Sequence, residues 1–289
     1  METTNNAEDI QIRPGFFNRL FRNKLAIVGF VIVVILILIA IFAPVIATHA
    51  PNAMDVADAF LKPGEKGYLL GTDNYGRDLF SRIIYGSRVS LIASLSAVAI
   101  GGVVGIILGL IAGYVGGWLD SFIMRIMDGF SAFPFVLLAI FLMTVFGQGL
   151  GNVILAIGIG NVPGFTRIVR GQVLAVKEEE FVEVLHSLGA SNKRILFLHV
   201  FPNAVAPIVV HATSSIAGAI ISEATLSFLG LGVAPPTPSW GSILSEGRNY
   251  LVLNPEIATY SGLAILITVL GINILGDGIR DALDPKLEN

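Results

Sequence analysis

The sequence predicts an all-α integral membrane protein with six transmembrane helices. Of the 289 residues, 54% are hydrophobic and only 13% are charged, about half the charged share of a soluble domain. The charges cluster between long apolar runs, which favours lipid as the solvent. The first run, Leu25–Ala47, contains no charged residue. As a helix it would extend about 34 Å, enough to cross a hydrocarbon core of about 30 Å.

The first span is predicted to leave residues 1–24 as a cytoplasmic N-terminal tail. Basic residues at Arg13, Arg19, Arg22 and Lys24 precede the span, and positive charge marks the cytoplasmic flank. A cleaved signal peptide is the alternative interpretation. The apolar run is long for a signal peptide and begins late, which favours a retained anchor.

Five further spans are predicted from the remaining apolar runs, at about 89–115, 119–146, 153–169, 204–231 and 257–275. A polar external loop with a short amphipathic stretch at 78–88 follows the first span. Pro163 and Gly164 predict a kink in the fourth span. Six spans place both termini in the cytoplasm. The four basic residues of loop 170–199, against one in loop 232–256, agree with this orientation. The five in loop 48–88 do not, but long loops translocate largely regardless of charge.

Composition excludes several functional classes. The net charge of −3 gives no basic surface for nucleic acid. The absence of cysteine excludes disulfides and thiolate chemistry. The four histidines show no metal-ligand spacing. No lysine follows a glycine, so the glycine-lysine phosphate loop is absent. We therefore expect no cofactor in this chain, and any ATP and Mg used must be bound by a partner.

A ladder of small residues marks the second span. Alanine or glycine recurs at every fourth position, at Ala93, Ala97, Gly101, Gly105, Gly109, Gly113 and Gly117. In a helix these residues share one face and allow a second backbone to approach closely in lipid. The ladder predicts close helix packing, with a partner helix in this chain or in another subunit.

The fifth span carries polar and small residues at spacings of three or four, at His211, Ser215, Gly218, Ser222 and Thr225. This stripe predicts either a wall of a solute path or an ordinary helix interface with local hydrogen bonds. Glu223 lies in the same apolar run and is a further candidate for the solute path; its carboxylate should face protein, water or the interface. Coupling to protons through Glu223 is a further alternative. Catalysis is not expected, because Glu223 and His211 would be about 18 Å apart along the helix.

Residues 178–202 predict an elbow of two helices. Phe181, Val184, Leu185 and Leu188 form an apolar stripe beside the polar Glu180, Glu183 and Ser187. Gly189 is placed to end the first helix in a left-handed cap. Ser191 or Asn192 would then cap a second helix that runs to Pro202. Such an elbow fits a groove on another protein, whereas its glutamates argue against a position on lipid headgroups.

The elbow resembles the cytoplasmic motif of permeases from bacterial ABC importers. Glu183, Gly189 and Pro202 keep the spacing of that motif, while other residues occupy its two alanines, isoleucine and leucine. Three longer stretches resemble the C-type second permease of the dipeptide, oligopeptide and nickel branch. They are Leu70–Asp78, Ser222–Gly232 with Pro235–Gly241, and Leu275–Pro285.

This resemblance implies a type I, MetI-like permease in the bacterial cytoplasmic membrane. Residues 88–277 would form its transmembrane domain, preceded by an extra span and external loop at 25–87 and followed by a cytoplasmic tail at 278–289. The implied partners are a second permease, two ATPase subunits, an extracytoplasmic binding protein and membrane lipid. The elbow would dock on an ATPase through Glu180, Glu183, Val184, Leu185, Leu188, Gly189, Ala190 and Ser191. The implied solute is a di- or oligopeptide or a related small molecule, with glutathione and nickel chelates left open. The alternative function is a proton-coupled secondary transporter.

Overall fold

The structure, a computed structural model, describes residues 16–283 and is all-helical over that range. Its helices are α1 (Phe16–Leu20), α2 (Lys24–Ile46), α3 (Leu79–Val115), α4 (Gly117–Ala132), α5 (Phe135–Phe146), α6 (Leu150–Lys177), α7 (Glu180–Ser187), α8 (Asn192–Ile195), α9 (Phe201–Phe228), α10 (Trp240–Gly247) and α11 (Glu256–Leu283). Five helical segments in the described range are long and apolar enough to cross a membrane. Counted as one span, the bent α4–α5 pair makes six.

The six crossings alternate in direction, so the molecule has two distinct ends. One end, here called the cap side, contains residues 47–78 and 229–255. The other, the elbow side, contains residues 178–200. At the elbow side Asn23 donates a hydrogen bond to Asp281, and at the cap side Lys62 pairs with Glu256. The described ends of the chain, before α2 and after α11, therefore share the elbow side.

The central packing interface joins α3 to α6 within this chain. A Cβ added at Gly105 would lie 2.5 Å from the Cβ of Phe165, and one at Gly109 would lie 2.6 Å from that of Val169. Gly101 and Gly113 are similarly close to α6, and Ala97 is fully buried. The ladder of small residues therefore packs against α6 in the same subunit. Gly117 does not continue it, because the chain turns at Gly116 and Gly117, which both have positive φ.

The predicted third span is broken rather than continuous. Helices α4 and α5 meet at 89° across Phe133 and Pro134. Proline lacks the N–H that an inner helical position requires, and it forces the preceding residue out of the α region. Phe133 accordingly has ψ of 131°. Pro134 is the sequence signal for this break, and the prediction of one span over 119–146 missed it.

Four other predicted boundaries change. The stretch 78–88 is not a separate helix but the start of α3, capped by Asp78, whose side chain accepts from the Ser81 amide. Helix α6 continues through Pro163 to Lys177. The second elbow helix does not end at Pro202: α8 passes through a π-helical turn at Leu196–Val200 into α9. The wider turn accommodates the proline that follows it. Helix α11 likewise runs beyond the predicted boundary at 277 to Leu283.

The extra N-terminal span packs on the last helix. A Cβ added at Gly29 of α2 would lie 2.5 Å from the Leu275 amide nitrogen, and one at Gly271 would meet Ile32 at 2.4 Å. Most other α2 side chains are exposed. Helix α2 is thus an outer helix anchored through small residues, which is the packing expected in lipid.

Candidate coupling elbow and solute path

The first helix of the elbow, α7, ends in a Schellman cap. Gly189 has φ of +79°, a left-handed conformation that glycine adopts without steric cost. Its amide donates to the carbonyl of His186 at 2.9 Å, and the Ala190 amide donates to that of Leu185 at 3.1 Å. These are the two hydrogen bonds of the motif. Ser191 then occupies the N-cap position of α8, although its side chain makes no capping bond.

The apolar stripe of the elbow divides into a buried part and an exposed part. Val182 is buried in the core and Leu185 packs partly against it. Phe181, Val184 and Leu188 remain 41%, 55% and 78% exposed. The buried pair attaches α7 to the rest of the chain. The exposed three offer an apolar surface that the described part of this subunit leaves uncovered.

Polar contacts hold the elbow close to the end of the α3–α6 interface. Lys177 donates to the carbonyl of Tyr114 at 2.9 Å, and the Tyr114 hydroxyl lies 3.4 Å from the Asn192 side-chain oxygen. Nearby, Arg170 makes two hydrogen bonds to Asp120, at 2.5 and 2.7 Å. The elbow is therefore connected to both α3 and α6, and α6 is tied to α4.

The polar stripe of α9 lines two cavities. The larger, about 660 Å³, opens near the elbow side and includes His211. The smaller, about 210 Å³, lies further along α9 between α5 and α6 and includes Ser215, Gly218 and Ser222. The Ser215 hydroxyl and the Nε2 atom of His211 are 3.4 Å apart. The stripe thus runs continuously from one cavity to the next.

Glu223 lies in the protein interior, which corrects its assignment to the solute path. Its side chain is 0% exposed. The hydroxyl of Ser90 on α3 donates to one carboxylate oxygen at 3.0 Å, and that of Ser227 donates to the other at 2.8 Å. Ser90 also accepts from the Trp240 amide at 3.3 Å. Glu223 therefore joins α3, α9 and the start of α10, and it lines neither cavity.

A buried ion cluster holds α10 from the cap side. Arg77 donates to Asp73 and to Glu246, both at 2.6 Å, and Arg82 lies within 3.3 Å of Glu246. The two arginines and Asp73 are almost completely buried. At the rim, a hydrogen bond to Asp58 raises the pKa of the exposed Lys66. The cluster ties the loop at residues 47–78 to α10, and the Glu223 cluster holds the opposite end of that helix.

Several residues of the larger cavity were not predicted from the sequence. Gln172 on α6, Asn203 on α9 and Arg280 on α11 line it together with His211. These residues are distant in sequence and follow no shared periodicity. Only the packing of the three helices brings them together. Over residues 16–283, no group of three or more histidine, aspartate or glutamate residues is arranged to hold a metal ion.

The fold defines the class of protein, a multi-pass helical membrane protein, and a solved structure shares this fold. The methionine ABC transporter MetNI, solved in inward-facing conformations, contains a chain that aligns with a TM-score of 0.60. The two chains are 20% identical, and the alignment covers 71% of this chain and 98% of that one. This likeness confirms the MetI-like fold.

The chain belongs to the family described as binding-protein-dependent transport system inner membrane component, which matches residues 105–289. Residues 15–63 match the N-terminal transmembrane domain of oligopeptide transport permease C. The glutathione transport system permease protein GsiD of Escherichia coli O157:H7 is 47% identical over 274 residues, covering 94% of this chain and 90% of the relative. The corresponding protein of Salmonella typhimurium strain LT2 is 48% identical over the same length. The predicted family is thus confirmed, and the protein is an inner-membrane permease component.

Proposed function

We propose that this permease imports glutathione or small peptides of similar size. The observation that carries the proposal is its 47% identity, over nearly its whole length, to a glutathione permease. The match of residues 15–63 to an oligopeptide permease domain points to the same solute class. Both solutes are short, flexible and bear carboxylates, and the polar stripe of α9 offers hydroxyl and imidazole groups to such molecules.

We propose further that the elbow docks on an ATPase subunit. Phe181, Val184 and Leu188 are exposed on one short helix, whose end is fixed by the Gly189 cap. Burying the three side chains in a partner groove would stabilise the complex by a few kcal/mol. ATP and Mg would be bound by that ATPase, since this sequence contains no phosphate loop. A second permease, a second ATPase and an external binding protein complete the assembly that the family implies.

In this proposal the elbow side faces the cytosol and the cap side faces the periplasm. The basic residues before α2 and along loop 170–199 support that orientation. Both termini would then be cytoplasmic. Cysteine introduced at Ser191 should react with a membrane-impermeant maleimide only after the membrane is opened. Labelling of that cysteine in intact cells would contradict the orientation.

The solute path would follow the polar stripe of α9 at the contact with the second permease. His211, Ser215 and Ser222 line the two cavities. ATP binding would close the two ATPases, move the docked elbows and open the path outward, and hydrolysis would restore the inward-facing state. Such coupling requires that nucleotide and solute bind the two states differently.

Uptake by the reconstituted complex tests this function. The complex is placed in proteoliposomes with ATP inside and its binding protein outside, and radiolabelled glutathione or a dipeptide is added. We expect uptake that requires ATP hydrolysis and is unaffected by a proton ionophore. A complex with a catalytically inactive ATPase is the matched control. Uptake that follows the proton gradient without ATP would instead support the secondary transporter.

A further inference from the structure

The larger cavity is a vestibule at the elbow side, built by α6, α9 and α11. Its volume is about 660 Å³, within the range of sites that hold small molecules. It is lined near the ends of these helices by Ile168, Gln172, Asn203, Ala206, Pro207, Val210, His211, Ser214, Arg280 and Leu283. Apolar and polar side chains are interspersed in the lining, and all three helices contribute both kinds.

The polar lining of the vestibule is suited to a negatively charged ligand. Among the described residues that line it, Arg280 is the only lysine or arginine, and none carries a carboxylate. Within residues 16–283 no acidic side chain lies within ion-pair distance of Arg280, whereas Arg167 and Arg170 each pair with an aspartate. Gln172 and Asn203 add amide donors, and Ser214 adds a hydroxyl. A guanidinium with neighbouring amides is the arrangement that recognises carboxylates.

His211 connects the vestibule to the smaller cavity. Its ring packs edge-on against Phe165, with centroids 4.6 Å apart. A Cβ added at Gly164 would lie 3.1 Å from His211 Nε2, so α6 fixes the ring closely. The same nitrogen faces the Ser215 hydroxyl, which lines the smaller cavity. A solute that leaves the smaller cavity along α9 therefore reaches His211 first and Arg280 beyond it.

We propose that the vestibule is an exit site, in which Arg280 binds a carboxylate of the imported solute before its release. The proposal rests on the proposed function. It adds that Arg280 is the binding residue and that a carboxylate is the group of the solute that it binds. Gln172 and Asn203 would orient the carboxylate, and the apolar side chains of the lining would contact the rest of the solute. The headgroup of an anionic lipid offers similar chemistry, so the experiment must separate the two sources.

Equilibrium binding to the nucleotide-free complex tests the exit site. The complete complex, without binding protein, is placed in phosphatidylcholine nanodiscs and titrated with radiolabelled reduced glutathione. Its diethyl ester, in which both carboxylates are blocked, is the comparison ligand. The variants are Arg280→Gln, Arg280→Lys and Gln172→Leu. Arg125→Gln is the matched control, because Arg125 is an exposed arginine of α4 outside the vestibule.

We expect Arg280→Gln to weaken glutathione binding by about tenfold or more, since a charged hydrogen-bonded pair is lost. Arg280→Lys should retain part of the affinity, Gln172→Leu should reduce it, and Arg125→Gln should leave it unchanged. The diethyl ester should bind weakly and equally to wild type and Arg280→Gln. If Arg280→Gln fails to assemble, the lysine and Gln172 variants test the same carboxylate contact.

Equal glutathione affinity of wild type and Arg280→Gln would overturn the exit site. So would displacement of glutathione by phosphatidylglycerol in the discs that depends on Arg280, because the occupant would then be a lipid headgroup. A complex that imports glutathione with its binding protein, yet binds none without nucleotide, would overturn the exit site alone. A complex that imports neither glutathione nor a dipeptide would overturn the proposed solute class and the exit site together.

Discussion

The cap side and the elbow side differ in the kind of group that distinguishes them: buried, paired charges on the cap side and exposed apolar side chains on the elbow side. On the cap side, Arg77, Arg82 and Asp73 are buried against one another and against Glu246 of α10. On the elbow side, the apolar side chains of Phe181, Val184 and Leu188, on and just after α7, remain exposed. The cap side thus pairs its buried charges within the chain, whereas the elbow side carries the apolar surface that we propose an ATPase covers.

This contrast separates changes that damage the fold from changes that damage coupling. Removing one partner of a buried ion pair, or adding a bulky side chain at a tight backbone contact, lowers stability. Exposed apolar side chains contribute little to the folded chain and act only when a partner buries them. Substitutions at matched positions on the two kinds of surface should therefore produce different defects.

The largest effect is expected in the α3–α6 interface, which no partner can compensate. Gly105→Leu should abolish assembly, because even its Cβ would lie 2.5 Å from Phe165 Cβ and 2.9 Å from the Val162 carbonyl oxygen. Gly102→Ala is the control, since its Cβ would meet the Phe165 ring at an ordinary 3.5 Å. The yield of intact complex after detergent extraction measures both. A wild-type yield for Gly105→Leu would show that the contact is not essential.

The next effect is expected in the buried ion cluster of the cap side. Arg77→Met should lower the free energy of unfolding by about 3 kcal/mol, because Asp73 would remain buried without its closest cation. Lys62→Met removes a partly exposed pair with Glu256 and should cost less than about 1 kcal/mol. Thermal unfolding of the purified complex compares them. Equal losses would contradict the distinction between buried and exposed pairs.

A smaller effect on stability, but a large one on coupling, is expected at the Gly189 cap. Gly189→Pro fixes φ near −65°, a value incompatible with the left-handed cap. It also removes the hydrogen bond from the amide of residue 189 to the His186 carbonyl, so the elbow should lose its shape. Solute-stimulated ATP hydrolysis should disappear while membrane insertion persists. Gly230→Pro is the control, because Gly230 caps α9 on the cap side with φ of +78°. Normal stimulation in Gly189→Pro would refute the docking role.

The smallest structural effect is expected from a single exposed side chain of the elbow. Leu188→Ser should leave the unfolding temperature unchanged, since this side chain is 78% exposed. It should weaken ATPase binding by about tenfold or more, as one buried leucine is lost from the contact. Val252→Ser, at a position 94% exposed on the cap side, should change neither the unfolding temperature nor the binding of the ATPase. Co-purification of the ATPase with each variant gives the result.

Local patterns in the sequence predicted much of this fold. The apolar runs located all six crossings, and the spacing of Gly189 to Ser191 predicted the cap and the start of the next helix. The α3 ladder predicted close packing, because small residues in register permit only one kind of contact. Its partner could not be identified until the tertiary structure placed α6 against it.

Features that depend on long-range packing escaped prediction. The vestibule needs Gln172, Asn203 and Arg280 from three helices, and no local pattern connects them. Glu223 was assigned to the path because a carboxylate in an apolar run suggests function. The hydroxyl groups that enclose it come from Ser90 and Ser227, and the first is far away in sequence. The break at Pro134 is different, because its signal was local and was overlooked.

The uninterrupted helix from Asn192 to Phe228 has a mechanical consequence. At about 1.5 Å per residue it is roughly 55 Å long. The elbow, which we propose docks on an ATPase, adjoins one end, and the Glu223 cluster lies near the other. No loop interrupts the helix between Asn192 and Phe228. A tilt imposed on α7 would be absorbed in the turn at Gly189–Ser191 or in the five residues of the π-helical turn, or it would tilt the long helix about the end held by the Glu223 cluster.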